Sequence, residues 1–393
     1  MREVAIIGVG MTRFGRAEGS LVDMMCAPSL AALRDAVLGD RRADEVVVAN
    51  MGAARINRQT AVASALVDRL SLYPAMAETV ENGPASGAAA FKIGYEAVAS
   101  GMADVVLVTG GEKMRAVDNL EATDFVASLS HPEAEYIYGV TLPSLAGMFT
   151  RLYMERHGVE RKHLAMVAIK NHENAIKNPF AHIHQRITME GILTSPDAEV
   201  NNPLVADPLR MFDCCPVSDG AASLVLAPVD LAVKLGRPVV RVAGIGQATD
   251  THAVHEREDP TVLKAVRIAS ERAFDRAKLA PKDIHVAELH DAFTILEVAE
   301  SEDAGFFPKG KAAKAIEKGA TALGGKLPIN PSGGLKARGH PVGATGVAQL
   351  AELVWQLRGE AGARQVEGAK NAFALNFGGF GNNVIATVLV REG

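Results

Sequence analysis

The chain has 393 residues, of which 48% are hydrophobic and 22% are charged. Its 41 Lys and Arg residues against 46 Asp and Glu residues give a net charge of −5. This composition is typical of a folded globular protein and excludes a disordered one. The near-neutral balance, with no basic run, argues against nucleic-acid binding. No apolar stretch is long enough for a membrane span or a leader peptide, which predicts a cytoplasmic protein.

Three cysteines occur in the sequence: Cys26, Cys214 and Cys215. An odd number in a chain of this length suits a reducing compartment and predicts no disulfide framework. Adjacent side chains such as those of Cys214 and Cys215 cannot both point inward at tetrahedral spacing. We therefore expect no metal site.

Short, unbroken runs of Val, Ile and Leu alternate with Ala-rich stretches in the first part of the chain. Strands are predicted over Val4–Val9, Glu45–Asn50 and Ala103–Gly110, and helices over Leu21–Leu38 and Gly87–Ser100. Strands without polar alternation are covered on both faces, as in a parallel-rich sheet between helices. The pattern therefore predicts an α/β fold.

The same order returns in the last 160 residues. Strands are predicted over Val239–Ile245, Val286–Leu289, Asn371–Asn376 and Val384–Val390, and helices over Pro260–Leu279 and Gly343–Arg358. The first strand of each half ends in the same Gly-x-Gly pattern, at Gly8 and Gly244. The sequence thus indicates a long-period duplication, whose two halves would face each other across a crevice suited to a ligand.

Residues 115–235, between the halves, are expected to be less regular. They contain many Pro, Asn and His residues, most densely in Asn171–Ile187. An insertion of this kind covers a ligand site or serves as a purely structural cap, and the sequence leaves both interpretations open.

The segment Val80–Phe91, VENGPASGAAAF, is typical of a strand end that turns into a helix. Asn82 and Ser86 are common turn and capping residues. The helix would direct its free backbone amides and its positive dipole end into the crevice. The alternative interpretation is a well-capped helix without a functional role.

Two histidines in the second half are candidate catalytic residues. His290 ends the buried strand of ELHDAF, and His340 lies in NPSGGLKARGHPVGATG, where Pro341 and Gly343 restrict the backbone beside it. A single buried histidine is commonly structural. Two in neighbouring segments favour a site for acid–base or oxyanion chemistry.

Six motifs in this order resemble the thiolase superfamily over essentially the whole chain. They are VENGPASG (80–87), VLVTGGEKM (106–114), FDCCPVSDGAAS (212–223), ELHDAF (288–293), GGLKARGHPVGATG (333–346) and ALNFGGFGNN (374–383). The histidine of ELHDAF resembles the sterol-carrier-type and archaeal-type branch.

The resemblance implies a duplicated, five-layered αβαβα fold with an inserted loop domain. The N-terminal half would comprise residues 1–114 and 213–232, the loop domain 115–212, and the C-terminal half 233–393. It also implies a homodimer or tetramer, and a possible small zinc-ribbon/OB-fold protein subunit. The substrate would be a coenzyme A thioester, with no bound cofactor.

The resemblance also assigns roles to individual positions. His340 corresponds to the histidine that activates the nucleophilic cysteine and helps to bind the thioester oxygen, and His290 belongs to the same oxyanion hole. Asn376 takes the position of a second, acid/base cysteine, and Gly378 supplies a backbone amide to a second oxyanion hole. The nucleophilic cysteine itself falls on Pro84.

Proline at position 84 removes both the nucleophile and the backbone N–H that the second oxyanion hole needs. Loss of one such donor typically costs about 2.7–4 kcal/mol. No other residue is an evident substitute. Cys26 is predicted on an apolar helix face, Cys214 and Cys215 in a structural turn, and Ser86 in a capping position.

Three functions remain open at this point. The first is an enzyme of lipid or aromatic acid degradation that makes or breaks a C–C bond next to a CoA thioester, through an enolate held by two histidines. The second is a β-ketoacyl-CoA thiolase that uses direct attack by CoA, or whose cysteine has been replaced. The third is a non-catalytic subunit of a heteromeric complex. Met148, Phe149, Tyr153 and Phe180 would line an apolar or aromatic acyl pocket or pack the core of the loop domain.

Overall fold

The computed structural model of the protein describes residues 1–236 and 238–392. Arg237 and Gly393, which the predicted C-terminal half includes, lie outside the described residues. The strands of the described residues are Val4–Met11 (β1), Glu45–Ala49 (β2), Met76–Val80 (β3), Val106–Lys113 (β4), Leu204–Ala206 (β5), Leu209–Arg210 (β6), Asp219–Pro228 (β7), Val239–Thr249 (β8), Val286–Glu288 (β9), Asn371–Gly378 (β10) and Asn383–Glu392 (β11).

The helices of the same residues are Leu21–Asp35 (α1), Ala53–Ile56 (α2), Val62–Arg69 (α3), Ser86–Ser100 (α4), Asn119–Ala127 (α5), Leu142–His157 (α6), Arg161–Ile176 (α7), Ala198–Asn201 (α8), Val229–Lys234 (α9), Lys264–Ala277 (α10), Thr294–Asp303 (α11), Ala312–Glu317 (α12) and Val342–Arg358 (α13). Every strand and helix predicted from the pattern is present, with ends that differ by a few residues. The largest shifts are in α10, which begins at Lys264 and not at Pro260, and in β8, which ends at Thr249 and not at Ile245.

The strands of the two halves run in the same order. The first half has the order β3-β2-β4-β7-β1, and the second continues it as β8-β11-β10-β9, joined by antiparallel pairing of Ala5 and Ile6 in β1 with β8. The first half has two parallel pairs, β3 with β2 and β2 with β4, and the second half has one, β9 with β10. The other neighbours in each half are antiparallel. Ile329 forms a parallel bridge beside β9 at the position that β3 occupies beside β2.

Helices α4 and α13 lie between the two halves of the sheet, and each contacts strands of both halves. The outer faces are covered by α1 and α3 on the first half and by α10 and α11 on the second. The predicted α/β fold with five duplicated layers is therefore confirmed. Both sides of each half-sheet are buried, as their continuous Val, Ile and Leu runs require.

The repeated Gly-x-Gly pattern has the same structural reason in both halves. A methyl group on Gly8 would overlap the Ala32 carbonyl oxygen of α1, and one on Gly244 would overlap the Ala273 carbonyl oxygen of α10. The two glycines let the outer helix of each half approach its first strand at backbone distance. Only glycine permits this contact, because any side chain at these positions would push the helix away from the strand.

The expectation that residues 115–235 are less regular is wrong for much of that range. Helices α5, α6 and α7 lie within it, and α6 starts at a capping box in which Thr141 accepts from the Ser144 N–H at 3.3 Å. The pattern hid α7 because its buried face carries polar residues, among them His163, Asn171 and His172. Since β4 ends at Lys113 and β7 begins at Asp219, we retain residues 115–212 as the proposed loop domain.

Other elements, among them β7 and most of β3, lie outside the predicted ranges. Strand β7, which follows the FDCCPVSD segment, lies between β4 and β1 in the sheet, so this motif is more than a turn. Strand β3 forms an edge of the sheet, and most of its residues are exposed or half-buried. Its sequence, MAETV, lacks the unbroken apolar run that marks the interior strands.

Candidate active site

A cavity of about 150 Å³ is lined by residues of both halves and of the segment 115–212. Its walls are mostly apolar. The lining residues include Pro84, Met114, Val126, Leu129, Leu142, Cys214, Cys215, Val217, His290, Phe293, Leu296, His340, Phe377, Gly379 and Phe380. The structure thus brings together Pro84 from the first half and both candidate histidines from the second.

Pro84 lies in a short turn between β3 and α4 that closes on itself. The Ser86 hydroxyl donates to the Gly83 carbonyl at 2.5 Å and accepts from the Asn82 N–H at 2.8 Å. Ser86 is completely buried, and both of these contacts are local. Its hydroxyl therefore stabilises the turn, which is the capping interpretation and not that of a replacement nucleophile.

Asn376, on β10, connects this turn to the histidines. Its Oδ1 accepts from the Ala88 N–H at 3.1 Å, and its Nδ2 donates to the Pro84 carbonyl at 3.0 Å. A backbone N–H can only donate and a carbonyl can only accept, so these two contacts fix the orientation of the amide. The Nδ2 of Asn376 is therefore a donor to each of its other neighbours.

One of those neighbours is His290, whose Nδ1 lies 3.2 Å from Asn376 Nδ2. Because the amide nitrogen donates, His290 Nδ1 accepts, and the proton of the neutral ring is on Nε2. The backbone N–H of His290 donates to Glu300 Oε2 at 2.7 Å, which holds the main chain that carries the ring. His290 consequently presents an N–H donor to the cavity that it lines.

His340 has the opposite tautomer. Its Nδ1 lies 2.7 Å from Thr345 Oγ1, and that hydroxyl donates its single proton to the Pro341 carbonyl at 3.0 Å. Thr345 Oγ1 must then accept from His340, so the ring proton is on Nδ1 and Nε2 carries a lone pair. Among the described residues neither Nε2 has a hydrogen-bond partner. The two rings meet edge-on, with centroids 4.9 Å apart.

Both rings are neutral near pH 7. Burial, with a further contribution from the positive charge of Arg338, lowers the pKa of His340 to about 3. Burial, His340 and Arg338 hold the pKa of His290 well below its usual range. The cavity therefore contains one base, His340 Nε2, and one neutral donor, His290 Nε2–H, directed at a shared space.

The loop that carries His340 is held by side chains on two sides. On one side, Asp291, which follows β9, accepts from the Leu335 N–H at 2.6 Å through Oδ1. The same carboxylate lies so close to Gly334, which has φ +59°, that a methyl group on this glycine would overlap it. From α7 and the residues after it, Asn174 and Asn178 donate to the Asn330 and Ser332 carbonyls at 3.0 and 2.8 Å. Asn174 and Asn178 of the segment Asn171–Ile187 thus hold the loop that carries His340.

Cys214 and Cys215 are closer to the site than the sequence predicted. The Cys215 N–H donates to the Ala292 carbonyl at 2.9 Å, two residues beyond His290, and both cysteines line the cavity. The sequence predicted a structural turn here and gave the two cysteines no place in the site, whereas the structure puts both in the cavity wall. Burial raises the pKa of both thiols to about 12, so they are protonated and weakly nucleophilic near pH 7.

The four candidates for an acyl pocket do not line the cavity. Met148 is 58% exposed, Phe149 packs against Phe380, and the Tyr153 hydroxyl donates to Glu302. Phe180 stacks on Trp355 with centroids 5.0 Å apart. Phe149, Tyr153 and Phe180 therefore serve packing, the alternative interpretation.

Gly378 lies at the end of β10 and faces a second, more polar cleft of about 680 Å³, together with Asn82 and Gly83. The next residue, Gly379, lines both this cleft and the apolar cavity. Gly378 lies so close to the Pro84 turn that a methyl group on it would be 3.2 Å from the Ala85 Cβ.

Two residues of the site, Thr345 and Glu300, were missed from the sequence, as was the orienting role of the predicted site residue Asn376. Thr345 lies in the quoted GHPVGATG motif, one helical turn after Pro341, so its spacing was an available signal. Glu300 and Asn376 act through contacts with His290 that only the folded chain creates.

Among residues 1–236 and 238–392, no group of three or more His, Cys, Asp or Glu side chains is placed to hold a metal ion. Within the same residues, no helix has the length and apolar character needed to cross a membrane.

Comparison with known proteins identifies relatives over the whole chain. The family model described as thiolase, N-terminal domain, matches residues 4–230, and that described as thiolase C-terminal domain-like matches residues 246–391. An acetyl-CoA acetyltransferase of Methanothermobacter thermautotrophicus is 44% identical, with 100% of both chains covered. Human sterol carrier protein 2 is 33% identical over 99% of this chain and 72% of its own length. The solved structure named Ltp2-ChsH2(DUF35) aldolase is 25% identical, covers 99% of this chain and 98% of its own, and has a TM-score of 0.84.

Proposed function

This chain belongs to the thiolase superfamily, and we propose that it makes or breaks a C–C bond next to a CoA thioester without a cysteinyl-acyl intermediate. The predicted family, its sterol-carrier-type branch and the acyltransferase class of enzyme are confirmed by the relatives. The observation that carries the finer proposal is the combination of Pro84 with two retained histidines in opposite tautomers.

In the cleavage direction the proposed substrate is a β-hydroxyacyl-CoA. His340 Nε2 takes the proton of the β-hydroxyl group, the Cα–Cβ bond breaks, and a carbonyl compound and the enolate of the shortened acyl-CoA result. The His290 Nε2–H donates to the developing thioester oxyanion. The imidazolium of His340 then returns the same proton to Cα, so the reaction balances without a nucleophile or an added cofactor.

A small apolar or aromatic group is the proposed variable part of the substrate. The cavity volume of about 150 Å³ and its Leu, Val and Phe lining support this proposal, since an apolar cavity of that size can hold a benzene ring.

A homodimer and a small protein partner are also proposed. The exposed β3 edge is the surface that would otherwise invite uncontrolled strand pairing, and a second copy would cover it. The Ltp2-ChsH2(DUF35) aldolase supports the proposal of a zinc-ribbon/OB-fold subunit.

Proton exchange at Cα tests the enolate chemistry without knowledge of the second product. Phenylacetyl-CoA is incubated with the protein in D₂O, and deuterium in the ester and the intact mass of the protein are measured by mass spectrometry. We expect exchange with no acyl mass on the protein, and loss of exchange in His340→Gln. Exchange that is equally fast in His340→Gln, or an acylated protein, would contradict the proposal.

The second candidate is a β-ketoacyl-CoA thiolase, which the 44% identical acetyl-CoA acetyltransferase favours. Incubation with acetoacetyl-CoA and CoA measures this reaction directly. The Pro84→Cys variant is its matched comparison, because it restores a thiol beside the His340 base. A wild-type rate equal to that of Pro84→Cys would favour the thiolase. Acetylation and turnover only in Pro84→Cys would favour the main proposal.

A further inference from the structure

A buried ion pair joins the two segments that carry the histidines. Arg338 Nη1 lies 3.2 Å from Glu288 Oε2, and both side chains are completely buried. Glu288 precedes His290 by two residues, and Arg338 precedes His340 by two residues. The pair therefore connects the end of β9 to the long loop at the point where each delivers its histidine.

Ser332 completes this connection. Its N–H and its hydroxyl donate to the two oxygens of Glu288 at 3.1 and 2.7 Å, and its oxygen accepts from Arg338 Nη1 at 3.3 Å. The carboxylate, the guanidinium and the hydroxyl thus form a closed set of contacts. A shift of the loop would break several of these contacts at once.

Stability alone does not explain the pair. Removing two charges from water costs as much as the attraction returns, so a buried ion pair commonly adds little to the free energy of unfolding. Arg338 Nε and Nη2, moreover, have no hydrogen-bond partner among the described residues. Buried donors without partners are unfavourable, which suggests that the guanidinium is retained for its position and charge.

We propose that the Glu288–Arg338 pair is a positioning element that holds the His290 and His340 rings edge-on at their working separation. This inference rests on the proposed function, in which the two rings act on one thioester. The pair does not touch the cavity, so Glu288 and Arg338 would act only through the histidines.

The charge of Arg338 adds a second effect. The charged and titratable groups around the two rings include Arg338, Glu288, Glu300, which accepts from the His290 N–H, and each ring for the other. The protonated thiols of Cys214 and Cys215 line the same cavity. In addition to burial, the charge of Arg338 lowers the pKa of both histidines. Burial and the charge of Glu352 raise the pKa of Glu288, which Arg338 lowers. Loss of the Arg338 charge is therefore expected to raise the pKa of His340 and to shift the acidic limb of the rate profile to higher pH.

The test compares Arg338→Met, Glu288→Gln, the double variant and Arg338→Lys by two measurements. Histidine ¹⁵N NMR reports tautomer and pKa in the free protein, with signals assigned through His290→Gln and His340→Gln. The rate of Cα exchange in phenylacetyl-CoA reports kcat and KM. Arg358→Met is the matched control, since Arg358 is a buried arginine paired with Asp35 at 2.7 Å at the far end of α13.

We expect each single variant to lower kcat about tenfold with KM little changed, and the double variant to cost no more than one single variant. Arg338→Lys keeps the charge and should retain the His340 pKa while losing part of kcat. Arg358→Met should leave both histidine signals and kcat unchanged. The double variant leaves no unpaired buried charge, so it tests the pair even if a single variant fails to fold.

Two failures can be told apart. If the histidine signals of Arg338→Met and the double variant match the wild type, and exchange still depends on His340, the positioning role is overturned and the proposed function stands. If the signals shift as expected but wild-type protein catalyses no exchange, the proposed function is overturned.

Discussion

The two halves of the chain share a framework and differ in one connection. Strands β1, β2, β4 and β7 correspond to β8, β9, β10 and β11, and the central helix α4 corresponds to α13. The connection before α4 spans residues 81–85, whereas the one before α13 spans residues 330–341. The first is short and is closed by the Ser86 hydroxyl, with a further contact from Asn376 to the Pro84 carbonyl. The second is held by carboxylates and amides from two other elements.

This difference separates framework from chemistry. The halves retain equivalent glycines where a helix meets a strand, because the geometry of packing is the same in both. Only the second half has a long, externally fixed loop with a histidine at its end. The first half contributes Pro84, which offers the cavity neither a nucleophile nor an amide proton.

The largest expected difference between the halves is in catalysis. His340→Ala should lower Cα exchange in phenylacetyl-CoA by about 10²–10⁴-fold, because it removes the base. Pro84→Ala should change the rate little. Comparable losses of rate in both variants would contradict the assignment of the chemistry to the second half, because the first half would then contribute directly to the reaction.

The framework should respond equally in the two halves. Gly8→Ala and Gly244→Ala should each lower the free energy of unfolding by about 3 kcal/mol, since the new methyl group overlaps a helix carbonyl. Urea denaturation measures both. Gly191→Ala, whose Cβ would be 3.3 Å from the Thr188 hydroxyl, is the control with a small expected effect. A large loss in one half alone would show that the packing is not equivalent.

The tautomer of His340 should depend on the first turn of α13. Thr345→Val removes the acceptor of the His340 Nδ1 proton and should lower the exchange rate about tenfold, equivalent to about 1.4 kcal/mol. Thr150→Val is the matched control, because the Thr150 hydroxyl also donates to a carbonyl one turn earlier, at Ala146, but lies in α6. Equal rates in the two variants would contradict the assignment.

A further expected effect is a pH dependence of the free energy of unfolding. The pKa of His340 is about 3 in the folded protein and near 6.5 unfolded, so the unfolded chain binds more protons between these values. Stability should therefore fall as the pH decreases from about 6 to 4, by up to about 1.4 kcal/mol per pH unit for this residue.

His340→Gln should remove its share of that slope, as measured by denaturation at several pH values. His252→Gln, at an exposed position, provides the comparison. If both variants keep the wild-type slope, His340 is not neutral in the folded chain.

The sequence predicted what local patterns determine. Unbroken Val and Ile runs located the interior strands other than β7, and six motifs identified the family and its fold. Helix α7 was missed because Asn171 and Asn174 are buried to support the His340 loop, which removes the apolar stripe of an ordinary helix. Edge strand β3 was missed because its exposure permits polar residues.

The site was predicted only as far as its motifs extend. His290, His340 and Pro84 were found because each lies in a quoted motif, and the cavity brings them together. The contact between Asn376 and His290 joins residues 86 positions apart, and no periodicity reports such a contact. The place of Cys214 and Cys215 in the cavity wall likewise depends on pairing with the segment after His290.

Helices α4 and α13 touch through backbone alone where they cross. A methyl group on Gly87 would lie 2.8 Å from the Gly346 nitrogen, so no side chain separates the halves at this crossing. Neither half is expected to fold alone, because its strands would lose the central helix of the other half and expose a wide apolar surface to water.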